Sequence, residues 1–121
     1  MFEINGETKQ LAIIGNPVSH SFSPQMHNYI SEKMGLNYVY TALKVEENGF
    51  DAAIEGIRSM GFAGVNITAP YKIRAYEKMD VLSERAKRFG SVNTCVNKNG
   101  VLHGYNTDAE GFYRSLIREG I

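Results

Sequence analysis

A single cysteine, no net charge and no apolar run longer than a strand narrow this 121-residue chain before any motif is read. Cys95 cannot form an intrachain disulfide, which fits a reducing cytoplasm. It lies in Val92-Asn-Thr-Cys-Val96 with no charged neighbour. A buried structural thiol is therefore expected, because a reactive one needs a cation or a helix N-terminus beside it. Thirteen basic and thirteen acidic residues cancel without a basic cluster, so the electrostatic footprint of a nucleic-acid binder is missing. The apolar runs fall far short of the roughly 20 residues of a membrane helix. Met1-Phe-Glu-Ile-Asn-Gly6 has neither the basic nor the apolar region of a secretory signal. None of the twelve glycines forms Gly-x-Gly-x-x-Gly, so no dinucleotide fingerprint is present. Gly56-x-x-x-x-Gly61 runs into Phe62 and Ala63, which is not a phosphate loop. No Gly-x-Ser-x-Gly elbow appears, and no His/Cys/carboxylate cluster has metal-site spacing, so no metal is expected.

What is there is an ordinary globular composition, 43% hydrophobic, enough for one domain with a real core. Strand and helix signals alternate. Gln10–Gly15 is a continuous apolar run ending in glycine, as in a buried parallel strand. A helix is expected over Pro24–Met34, with Ser23 as N-cap, Pro24 in the first turn, Gly35 as the stop and Met26, Tyr29, Ile30 and Met34 on its apolar face. Tyr38–Val45 reads as a second strand, and Asn48–Met60 as a helix with Phe50, Ala53, Ile54 and Ile57 inward. Gly64–Thr68 is a third strand, ended by Pro70. Two short helices follow, Ile73–Met79 and one capped by Ser83. Val92–Val96 and Val101–Tyr105 are strands around an Asn97-Lys-Asn-Gly100 hairpin. Thr107-Asp-Ala-Glu110 has the form of a capping box, opening a helix that buries Phe112, Leu116 and Tyr113. The order β-α-β-α-β-α-α-β-β-α implies an open, mostly parallel twisted α/β sheet with helices on both faces and an antiparallel hairpin component.

Polar groups gather where these strands meet loops, the usual place for a ligand in such a sheet. Ser21 and Ser23 flank Phe22. Two hydroxyls pointing one way suit an anion such as a carboxylate, helped by the helix N-terminus that follows, although Ser23 also serves as a cap. His20 beside them is expected to order its neighbours. Asn66 and Thr68 alternate on a strand that is otherwise apolar, and a buried asparagine must be satisfied by something. Lys72 stands at a helix start, where a cation opposes the helix dipole. That position points to a task, and partial burial would suit it to acid–base work. Asp108 suits the first turn of a helix and would pair with Lys72 if the third and last strands were adjacent. Asn93, Asn106 and Thr107 fit turns, Asn106 above all. The whole inventory suits a small polyhydroxylated molecule.

Taken together, Gly15-Asn-Pro-Val-Ser-His-Ser-Phe-Ser-Pro-Gln-Met-His-Asn28, Gly64-Val-Asn-Ile-Thr-Ala-Pro-Tyr-Lys72, Gly90-Ser-Val-Asn-Thr94 and Gly104-Tyr-Asn-Thr-Asp-Ala-Glu-Gly-Phe112 resemble the N-terminal substrate-binding domain of the shikimate dehydrogenase family, across residues 1–121. The resemblance implies an NADP-dependent oxidoreductase that interconverts 3-dehydroshikimate and shikimate on the way to aromatic amino acids. It implies that Ser21 and Ser23 bind the substrate carboxylate, and that Asn66, Thr68, Asn93 and Asp108 surround the ring hydroxyls. Lys72 would be the acid–base group, paired with Asp108. NADP would sit mainly on a Rossmann-type C-terminal domain absent from this chain, towards which a helix over 107–119 would lead. Its partners are then the small-molecule substrate and that cofactor domain, with a homodimer left open and no nucleic acid or membrane. Turnover by these residues alone is not expected. Two alternatives stay open: a quinate/shikimate dehydrogenase, and a non-catalytic module that senses shikimate or quinate.

Overall fold

The computed structural model describes residues 3–120. Its elements run β1 (Lys9–Gly15), α1 (Ser23–Met34), β2 (Tyr38–Lys44), a 3-10 turn (Glu47–Gly49), α2 (Phe50–Met60), β3 (Gly64–Ile67), α3 (Lys72–Lys78), β4 (Val81–Leu82), α4 (Glu84–Phe89), β5 (Thr94–Lys98), β6 (Val101–Tyr105) and α5 (Asp108–Arg118). The strands form one six-stranded sheet in the order β2-β1-β3-β5-β6-β4. β1 pairs in parallel with β2 and β3, and β4 with β6, while β5 runs antiparallel to both β3 and β6. The α/β expectation therefore holds, with β4 added at one edge. Two residues carry no periodicity, so β4 left no signal in the sequence.

The β5–β6 connection follows directly from its residues. Asn99 and Gly100 both have positive φ, 55° and 89°, as a two-residue type I′ hairpin turn requires. The Asn97 side chain secures the turn by accepting the Gly100 N–H at 2.8 Å.

One face of the sheet is dry. Ala12, Ile14, Val65, Ile67, Cys95 and Leu102 lie beneath Phe50, Ile54 and Ile57 of α2, Ala75 of α3 and Ala86 of α4, all buried. Phe50 stacks on Tyr71 with ring centroids 4.8 Å apart. Cys95 is 1% exposed, and burial pushes its thiol up to about 11, so it is protonated near neutrality and plays the structural part expected of it.

The other face is covered unequally. α1 lies along the outer edge of β2, and its buried residue among those described is Ser31. The expected apolar stripe faces away: Met26, Tyr29, Ile30 and Met34 are 45–67% exposed. What α1 turns to the sheet is polar. The Asn28 amide donates to the Tyr40 carbonyl and accepts the Tyr40 N–H, both at 2.8 Å, and the His27 ring stacks flat on Tyr40 at 4.3 Å. An edge strand exposes unpaired backbone groups, and satisfying them outweighs burying the methionines.

Two helix starts also differ from expectation. Phe22, not Ser23, occupies the N-cap of α1, and Ser23 is the first helical residue. It is Ser21 that accepts the Ser23 N–H, at 3.2 Å. At α5, the N-cap Thr107 makes no side-chain cap. Asn106 does so instead, accepting the Asp108 N–H at 3.0 Å while its own NH2 donates to Ser91. Leu116 is half-buried. The expected roles of the Glu110, Phe112 and Tyr113 side chains lie outside the described residues. Ser83 caps α4 as expected, accepting the Ala86 N–H at 3.1 Å.

Candidate active site

β3 and β6 end, and β5 begins, on the same side of the sheet, so their loops converge. The loop after β1 is tied to the loop after β3 by the Asn16 N–H donating to the Ala69 carbonyl at 3.1 Å, and Thr68 N–H donates to Ile14 at 3.0 Å. The approach is close enough that a Cβ on Gly15 would lie 2.3 Å from the Thr68 methyl and 3.0 Å from the Ala69 oxygen. Glycine is what lets the loops after β1 and β3 start side by side, Gly15 and Asn16 against Thr68 and Ala69.

Lys72 begins α3, and its ammonium donates to the Asp108 carboxylate at 2.7 Å. The pair forms although β3 and β6 are not neighbours, for β5 lies between them. The loops close the gap: Lys72 lies five residues beyond β3 and Asp108 three beyond β6. Asn93 completes the arrangement from the start of β5. Its NH2 donates to the other Asp108 oxygen at 2.8 Å and to Thr107 Oγ1 at 2.9 Å. The Lys72 hydrogen bond holds the Asp108 carboxyl below the usual aspartate range; partial burial opposes this, and Asn93 and the Lys72 charge reinforce it. Asp108 is thus an anion at neutral pH, and the Lys72 amino group it holds has further N–H donors for an oxygen placed beside it.

Asn66, in mid-β3, points to the face opposite Val65 and Ile67. Its NH2 reaches the Asn93 carbonyl at 3.4 Å and Thr94 Oγ1 at 3.3 Å, and its carbonyl accepts the Tyr40 phenol at 2.7 Å. Burial raises the Tyr40 pKa and a hydrogen bond from Ser23 lowers it, burial prevailing, so the phenol is neutral and able to donate. Asn66, Asn93, Lys72 and Asp108 are therefore joined in one hydrogen-bonded cluster with Tyr40 and Thr94. Ser21 and Ser23 stand together in the loop after β1, Ser21 accepting the Ser23 N–H, and Thr68 lies against Gly15. His20 lies exposed beside them.

Tyr40 and Thr94 escaped the reading of the sequence. A tyrosine and a threonine in strands pass as ordinary β-formers. The available signal was parity: Tyr40, Leu11 and Gly64 are in register across β2, β1 and β3, as are Asn66 and Thr94 across β3 and β5, so all point to one face.

The arrangement defines a class: an α/β ligand-binding domain with a polar site, centred on a lysine–aspartate pair, at the carboxyl ends of its parallel strands. Residues 13–95 match the family model described as the shikimate dehydrogenase substrate binding domain, and the chain belongs to that family. It is 48% identical over 115 residues to the shikimate dehydrogenase (NADP(+)) of Syntrophomonas wolfei, covering 95% of this chain and 40% of that protein. The shikimate 5-dehydrogenase of Listeria monocytogenes, solved with shikimate and NAD, superposes with a TM-score of 0.93 at 39% identity, over 99% of this chain and 42% of that one. The Thermus thermophilus enzyme, solved with NADP(H) and shikimate, gives 0.87 at 38% identity, over 94% of this chain and 43% of that one. The chain thus spans about 40% of the length of the curated relatives it matches.

Proposed function

We propose that these residues form the substrate-binding part of an NADP-dependent shikimate dehydrogenase. The observation that carries this reading is the Lys72–Asp108 pair at 2.7 Å, embedded among amides and hydroxyls. A keto group presented to Lys72 would receive its proton as hydride arrives at carbon. In the reverse direction a hydroxyl would give its proton back to the neutral amine. Asp108 would hold the ammonium in place and stabilise its charge. Ser21 and Ser23 would take the carboxylate, with Asn66, Thr68, Asn93 and Asp108 around the ring hydroxyls. NADPH, the hydride source of the relatives, finds no fingerprint here: no Gly-x-Gly-x-x-Gly occurs in the 121 residues. This reading puts its site in the part of the relatives' length that these residues do not span. The cytoplasm suits the single buried thiol. Quinate is the rival substrate. A module that only senses such acids needs no proton donor, and the lysine–aspartate pair weighs against it.

Calorimetric titration with shikimate, and with quinate in parallel, tests the reading without cofactor. Saturable binding of shikimate that Lys72→Ala and Ser21→Ala each weaken about tenfold or more is the expected result. A folded chain that binds neither acid would overturn it.

A further inference from the structure

The proton directions in the cluster are all fixed by groups that can act in one sense. The Asn93 main-chain oxygen can only accept, so the atom of Asn66 facing it is nitrogen, and the Asn66 oxygen faces Tyr40. Tyr40 must then donate its proton to Asn66. The Thr107 main-chain N–H can only donate, so Asn93 turns its oxygen there at 3.1 Å and its NH2 to Asp108. Thr94 donates to that same Asn93 oxygen at 3.1 Å and therefore accepts from Asn66. The donations run one way: Tyr40 to Asn66, Asn66 to Thr94, Thr94 to Asn93, Asn93 to Asp108.

The bonds of Asn66 differ in kind. Its oxygen is committed by a short bond to a neutral, immobile donor, for Tyr40 is 3% exposed, clamped by Asn28 at its backbone and covered by the His27 ring. Its NH2 is held by two long contacts, 3.3 and 3.4 Å, which a better-placed oxygen can replace. The phenol reaches over β1 to do this, two strand spacings or about 10 Å.

We propose that Tyr40 is a positioning residue for ligand recognition: by holding the Asn66 oxygen, it makes Asn66 present its NH2, as a donor, to a ring oxygen of the bound hydroxy acid. The proposal rests on the shikimate reading above and names a determinant of that same site.

The test pairs Tyr40→Phe with Asn66→Ala in a double-mutant cycle, read by calorimetric titration with shikimate and with its methyl ester. In parallel, the Asn66 side-chain NH2 resonances of the 15N-labelled, ligand-free protein are followed. Tyr40→Phe keeps the ring, so stacking on His27 and backbone shifts away from β2 and β3 persist. The expected result is about five- to tenfold weaker binding of shikimate, the worth of one hydrogen bond. The methyl ester should lose the same factor, since the loss lies at the ring, and nothing further should be lost in the Asn66→Ala background. In the free protein, the two Asn66 NH2 signals should shift and broaden. Wild-type affinity in Tyr40→Phe, or an equal loss with Asn66 already removed, would overturn the proposal. If the wild-type chain binds no shikimate, the shikimate reading fails instead, and the resonances decide alone. Unchanged signals in Tyr40→Phe would then overturn the positioning role, and altered ones would uphold it.

Discussion

Val65 and Asn66 are neighbours on β3, yet they face different surroundings. Val65 looks onto the face closed by α2, α3 and α4, where strand and helix residues pack into one apolar core. Asn66 looks onto the face where α1 lies over the β2 edge, and there Tyr40, Asn66 and Thr94 stand in a hydrogen-bonded chain. The difference shows how a thin domain can hold a polar site. Strand parity separates the two environments by one residue, so the dry face fixes register and spacing while the other is free to carry amides and hydroxyls in set positions. Apolar burial is insensitive to direction; the polar face depends on it, each donor needing its acceptor.

If that division is right, perturbing the dry face should cost stability far more than perturbing the wet one. Phe50→Ala, at a fully buried position under Tyr71, is expected to destabilise by about 3–5 kcal/mol, measured by urea unfolding. A loss under 1 kcal/mol would show that the core does not carry the fold. Gly15→Ala probes the seam between the two regions. Its new methyl would collide with Thr68, with an expected cost of about 1–3 kcal/mol and weaker binding of shikimate besides. A change in stability without one in binding would separate the seam from the site.

Asp108→Asn probes the wet face and should have the smallest effect. The Asp108 carboxyl lies below its usual range in the folded protein, so its contribution to stability is complete above the ordinary aspartate value. It fades as pH falls through the lowered folded value. The pair is largely solvent-exposed, so the deficit of Asp108→Asn at pH 7 should stay within about 1 kcal/mol and shrink as pH drops below about 4. A deficit that grows in acid would contradict the pairing. Parallel urea curves of wild type and variant from pH 7 to pH 3 decide it.

Much of this could be seen in the sequence because each piece had a local cause. Gln10–Gly15 and Gly64–Ile67 are apolar runs that end where loops begin. Asn99-Gly100 specifies its own turn, and Gly35, Gly61 and Gly90 stop their helices with positive φ. Lys72 and Asp108 were recognisable as residues set at helix starts. What stayed hidden depended on partners distant in the chain. The stripe of Met26, Tyr29, Ile30 and Met34 looked like a core face, but the side of α1 that packs is chosen by the bare edge of β2, which asks for an amide. Ser21, not Ser23, accepts an N–H at this helix start, because the helix begins one residue earlier than its proline suggests. The role of Tyr40 follows from the register of three strands, which no local window contains.

Asn28 has a further consequence. A β-sheet grows as a polymer does, each strand a bifunctional unit with one side joined and the other open. At Tyr40 the open valence of β2 is met by a side chain that offers one carbonyl and one NH2 and nothing beyond them. Such a unit is monofunctional: it satisfies the growing end and propagates nothing. At that point the width of this sheet is set by a chain terminator written into the helix that follows the first strand.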